Sequence, residues 1–178
     1  MLNHKRNAWL TLIAILLLGP LGNASQTIPS QPVPELEKIV RHKLATLPYF
    51  TVFDHFDFSL DGSKVVLKGQ VTQPTQKSAA ERVAMLVAGV TDVVNEIEVL
   101  PLSFNDDRIR WATYRALYGS APLFKYGIGA NRSIRIIVQN GNVTLEGFVS
   151  REMDKNVATL MAKGVSGVFS VTNHLRIG

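Results

Sequence analysis

The chain has 178 residues, room for one ordinary domain or two small ones, and its apolar content is normal for a globular protein, which excludes disorder as the default. It has no cysteine, which argues against a disulfide framework, a thiolate zinc site and a lipidated N-terminal cysteine. The net charge of +5 is uneven: residues 35–100 carry seven basic and nine acidic side chains, residues 101–178 ten basic and five acidic, so the second half is expected to favour an anionic partner.

Residues 1–24 are expected to be a signal peptide. His4, Lys5 and Arg6 form a basic start, and Trp9 to Gly19 is an apolar run too short to span a bilayer as a helix. Gly22-Asn23-Ala24 offers small residues for cleavage after Ala24, so the protein is expected to be exported, periplasmic or secreted. Residues 25–34 follow as a linker held extended by Pro29, Pro32 and Pro34.

A first module is expected over residues 35–100. Leu36, Ile39, Val40, Leu44 and Leu47 recur at helical spacing, and Pro48 ends that helix. Phe56, Phe58 and Leu60 alternate with polar residues as a half-buried strand, Asp61-Gly62 marks a tight turn, and Val65, Leu67 and Val71 return along one face. Gly69 falls in that inward row, where a missing side chain is expected to let a helix approach the sheet. A second helix runs from about Pro74 to Ala88, with Ala80, Val83, Ala84 and Val87 inward, Thr72 as candidate N-cap and Gly89 as its stop. Val93 to Val99 is the last strand.

Residues 101–178 repeat this plan. Leu67–Val99 aligns with Leu145–Ile177 without a gap, at a constant offset of 78. Gly69 matches Gly147, Ala80 and Ala84 match Ala158 and Ala162, Gly89-Val90 matches Gly167-Val168, and Asn95 matches Asn173. Asn105 is the candidate cap of a helix running to about Tyr118, with Ile109, Ala112, Ala116 and Leu117 inward. A loop from Gly119 to Asn131 leads to a strand through Ile134, Ile136 and Val138, an Asn140-Gly141 turn, and the returning Val143, Leu145 and Val149. Ser150 is the candidate cap of a helix lined by Val157, Leu160, Met161 and Val165; Val171, Leu175 and Ile177 close the sheet. Each module is thus helix, strand, strand, helix, strand: an α+β fold with two helices on one face of a three-stranded sheet. The other sheet face carries Val66, Val94, Ile137 and Phe148 and is expected to meet the other module or a partner.

Catalytic chemistry finds no foothold. His42, His55 and His174 each stand alone in sequence, no serine sits in a nucleophile elbow, and Gly127-Ile128-Gly129 lacks the strand and third glycine of a nucleotide loop. Asn95 and Asn173, in phase with inward valines, are expected to satisfy local backbone groups. No enzyme activity, cofactor, metal or nucleic-acid partner is expected. The informative stretch is the first helix of the second module. Arg108, Trp111, Arg115 and Tyr118 fall together on the side opposite its inward stripe, and Phe124, Lys125, Tyr126 and Arg132 in and after the following loop repeat the mixture. Aromatic and basic side chains together suit a lipid headgroup interface or a protein hot spot; packing of Trp111 on the first module is the competing expectation.

The motifs V-x-L-x-G-x-V (Val65–Val71, Val143–Val149) and G-V-x-x-V-x-N-x-[IL]-x-V (Gly89–Val99, Gly167–Ile177, ending in isoleucine) resemble the BON domain, named for bacterial OsmY and nodulation proteins. The resemblance covers both modules, most specifically in their strand–helix–strand halves. It implies an exported, non-catalytic protein that binds phospholipid membranes. The alternative it leaves open is an envelope protein adaptor, oligomeric with itself or joined to other envelope proteins through sheet faces.

Overall fold

The computed structural model describes residues 33–129 and 132–178, so the expected signal peptide and residues 25–32 of the expected linker lie outside the described residues. The first module runs α1 (Val33–Ala45), β1 (His55–Asp61), β2 (Lys64–Val71), α2 (Pro74–Met85), β3 (Asp92–Asn95) and β4 (Glu98–Val99). The second runs α3 (Phe104–Tyr118), β5 (Ile134–Gln139), β6 (Asn142–Val149), α4 (Glu152–Lys163), β7 (Ser170–Asn173) and β8 (Arg176–Ile177), with a 3₁₀ turn over Phe124–Gly127. Pro34 belongs to the first turn of α1, not to an extended linker; a helix needs no N–H donor there.

The two modules share one topology. In the first, β1 and β2 form an antiparallel hairpin, and β3 and β4 run parallel to β2 on its other side. The second repeats this with β5, β6, β7 and β8. The third strand of each sheet is therefore one strand interrupted midway. The alternating pattern puts Val65, Leu67 and Val71 under Leu36, Val40 and Leu44 of α1 and Ala80 and Ala84 of α2, all buried. The corresponding stripe of α4 holds Ala158 and Ala162 buried, but Leu160, expected inward, is 66% exposed. Asn140 (φ +52°) and Gly141 (φ +76°) form the two-residue turn that Asn-Gly favours. The first hairpin turns one residue later than expected, on Gly62-Ser63.

The interruption of each third strand explains the paired asparagines. Asn95 Nδ2 donates to the Lys77 carbonyl (3.0 Å) and Glu81 Oε2 (2.9 Å), and its Oδ1 accepts from Ile97 N. At the same offset, Asn173 Nδ2 donates to the Lys155 carbonyl (2.9 Å) and Thr159 Oγ1 (2.7 Å), and its Oδ1 accepts from Leu175 N. One amide thus clamps the helix to the broken strand in both modules, as the expected local satisfaction requires.

Two further expectations need correction. Gly69 (φ +122°) and Gly147 (φ +114°) do not make room for a helix; a Cβ at either would collide with a carbonyl oxygen of the adjoining strand, from His55 and Ser133 respectively. The helix caps also differ. Neither Thr72 nor Ser150 caps a helix: Thr72 gives its N–H and hydroxyl to Asp54 Oδ1 (2.7 and 2.9 Å), and Ser150 gives its N–H to the Tyr126 hydroxyl (2.7 Å). Ser103, not Asn105, caps α3, accepting from Asp106 N at 3.2 Å.

The modules are stitched together. Val52 and Phe53, before β1, are buried in the second module's core, and Ile136 N donates to the Val52 carbonyl (2.9 Å) along the free edge of β5. Gln139 Nε2 donates to Glu98 Oε1 (2.8 Å) across the same seam.

Candidate functional site

Polar residues decide which way α3 faces. Asp106, 1% exposed, accepts from Asn140 N (2.9 Å) and Gly141 N (2.8 Å) of the hairpin turn. Arg110, also buried, donates to the Val138 carbonyl (2.7 Å) and pairs with Asp107. The buried stripe is Asp106, Ile109, Arg110, Thr113, Leu117 and Tyr118, rotated from the expected one, and Ala112 and Ala116 are only half-buried.

The structure splits the eight expected site residues. Tyr118 turns inward: its hydroxyl donates to the Ile134 carbonyl (2.6 Å), and burial pushes its pKa up. Tyr126 is buried too, donating to Asp154 Oδ2 (2.6 Å). Both phenol tips therefore point inward, each to a partner inside the fold. Lys125 is held by the buried Asp154 (2.9 Å); hydrogen bonds from Tyr126 and Lys125 pull the Asp154 pKa down, and the bond to Asp154 pushes that of Lys125 up. Arg108 donates to Asn105 (3.0 Å) and lies over the Gly167 backbone.

Trp111, Arg115 and Phe124 remain outward. Trp111 is 53% exposed while its ring meets Phe53 of the first module edge-on at 4.9 Å, so it has both a packed edge and a free face. Tyr114 continues this aromatic row to Tyr118, and Arg132 lies over the Tyr114 ring at 5.4 Å. Beside the row opens a groove of about 520 Å³ lined by Arg115, Phe124, Gly127 and Ile128 with the two tyrosines. Phe124 and Ile128 are 60% and 64% exposed on its rim. Gly127 passes over the Tyr118 ring where a Cβ would clash, so the first glycine of the Gly-Ile-Gly stretch answers a packing need. Ile128 and Tyr114 are the site residues that sequence reasoning missed; the only signal for Ile128 was its place between two glycines.

The histidines do not all stand alone. Glu146 on β6 takes His174 Nδ1 at 2.6 Å and lies 4.0 Å from His55 Nε2 of the first module. Burial lowers the His55 pKa, outweighing Glu146 and Asp57, which raise it; Arg135 and Arg176 lower it further.

The model of the BON domain matches residues 34–101 and 123–178, and the chain belongs to that family. Residues 102–122, which hold α3 and Trp111, fall between the matched segments. The chain is similar to the outer membrane lipoprotein DolP of Haemophilus influenzae, 33% identical over 110 residues that cover 61% of this chain and 55% of that protein. It thus spans about half the length of that relative. Among solved structures it is similar to CdsD, a structural protein of the type III secretion system of Chlamydia trachomatis. Identity to the CdsD C-terminal domain is 12%, with 81% of this chain and 98% of that one covered and a TM-score of 0.29, too low for the likeness to inform this chain.

Proposed function

We propose that the protein is a non-catalytic component of the cell envelope that attaches to anionic phospholipid surfaces through its second module. Its membership of the BON family and its similarity to an outer membrane lipoprotein support the envelope, and residues 1–24 supply the export signal, cleaved after Ala24. The observation that carries the lipid reading is the groove rim, where Phe124 and Ile128 expose apolar surface beside Arg115 on the more basic module, with the half-exposed Trp111 next to the groove-lining Tyr114. Exposed aromatics among arginines suit the headgroup boundary, where rings enter the apolar edge and guanidinium groups meet phosphates. A basic residue near an anionic surface contributes about 1 kcal/mol, so a few arginines and an inserted ring give reversible attachment, not anchoring. The test is co-sedimentation of the mature chain from Ser25 with phosphatidylglycerol vesicles and with phosphatidylcholine vesicles. Binding to the anionic vesicles alone, weakened by salt and by Phe124→Ala or Arg115→Gln, is expected. Equal recovery with both lipids, or binding indifferent to salt and to both substitutions, would instead favour a protein adaptor.

A further inference from the structure

On the far side of Arg132 from the α3 groove, the two modules enclose a cleft of about 260 Å³. Its walls hold Arg41 from α1 and Arg132, Arg135 and Arg176 from the second module, against a single lining carboxylate, Asp57. Among the described residues, Arg132, Arg135 and Arg176 have no ion-pair partner, and Arg41 pairs only with the exposed Glu37. Four guanidinium groups around one small space repel each other unless an anion joins them. Among the described residues, two polar atoms in the same wall, Arg132 Nε and Ser133 Oγ, are buried without a hydrogen-bond partner. Buried polar atoms are normally satisfied, so this wall is short of hydrogen-bond partners.

The rest of the cleft is aromatic. Arg135 lies 4.3 Å over Phe50, Arg176 lies 4.5 Å over Phe148, and Arg41 lies 5.1 Å over Phe58. Phe50 stacks on Phe56 at 4.9 Å. The rings hold the guanidinium planes in place and line the space with apolar surface. A bare inorganic anion has no use for that surface; an anion on a hydrocarbon stem does. The volume lies below the about 300–1,000 Å³ typical of pockets for drug-sized ligands, which limits the occupant to a headgroup and its first carbons.

We propose that this cleft is an oxyanion site for the phosphate of a single anionic phospholipid, gripped by arginines of both modules, with the phenylalanines taking the carbons next to it. The proposal shares with the surface-attachment reading only the class of lipid, because it concerns one molecule between the modules and not a bilayer against α3. The test is titration calorimetry of the mature chain from Ser25 with monomeric dihexanoylphosphatidylglycerol, its phosphatidylcholine counterpart and inorganic phosphate. The anionic lipid is expected to bind more tightly than either control. Arg41→Gln and Arg176→Gln, on exposed side chains of different modules, should each weaken it about fivefold, with melting unchanged. Phe124→Ala should leave this binding intact while reducing vesicle attachment, so the two readings fail separately. Equal affinity for inorganic phosphate would overturn the lipid as ligand; absent binding, or binding indifferent to both arginines, would overturn the site.

Discussion

Gly147→Ala should destabilise the protein far more than the loss of one glycine in an open turn. Two effects add at this position. The backbone stands at φ +114°, a region that side chains other than glycine rarely enter, with a cost of about 1–3 kcal/mol. The new methyl group would also collide with the Ser133 carbonyl oxygen, with the Ser133 carbonyl carbon only 3.1 Å away; such overpacking costs about 1–3 kcal/mol. The sum is about 2–6 kcal/mol, and at about 2–4 °C per kcal/mol for a chain of this size the midpoint should fall by at least about 4 °C. Gly62→Ala is the control, because Gly62 also has positive φ (+58°) but nothing within 4 Å of its Cβ position; it should show the backbone cost alone. Thermal melts of the wild type and both variants decide the matter. If Gly147→Ala melts with the wild type, or no lower than Gly62→Ala, the clash with the neighbouring strand is not what selects glycine there.

Asn95→Ala and Asn173→Ala should each cost about 1–3 kcal/mol in chemical denaturation, because each removes the clamp between a helix and a broken strand, and the double variant should be additive; a silent variant would refute the clamp. Asp54→Ala should cost about 2–4 kcal/mol by stranding the amides of Thr51 and Thr72, and Asp54→Asn should cost less. His55 has a folded pKa below its unfolded value of 6.5, so the unfolded chain takes up the proton first and stability should fall as pH drops from 6.5 through the folded value. His55→Gln should flatten that part of the stability–pH curve, and an unchanged slope would remove His55 from the account.

Much of the fold was legible because it is written twice. The constant offset of 78 exposed the module, and the two-residue alternation of Val65, Leu67 and Val71 fixed which sheet face the helices cover. What stayed hidden depends on polar contacts between segments distant in sequence. Nothing in the spacing of α3 says that Asp106 and Arg110 would be drawn inward by a hairpin more than 25 residues away, yet that rotation buries Tyr118 and moves Trp111 to a flank. The insertion of Val52 and Phe53 into the other module's core, and the meeting of His55 and His174 on Glu146, were invisible for the same reason. Of the site, the exposed Trp111, Arg115 and Phe124 were readable as aromatic and basic residues on one side of a helix and its loop; the inward turn of Tyr118 and Tyr126 was not, because their partners Ile134 and Asp154 lie on other elements.

The most direct test of the membrane claim is the emission of Trp111 as phosphatidylglycerol vesicles are added to the mature chain from Ser25, in which Trp111 is the sole tryptophan. Because about half of Trp111 faces solvent, its emission should shift to the blue with anionic vesicles and return when salt is raised, and phosphatidylcholine vesicles should leave it unchanged. Emission that stays fixed while the protein is saturated with anionic vesicles would contradict the claim that the α3 groove faces the membrane.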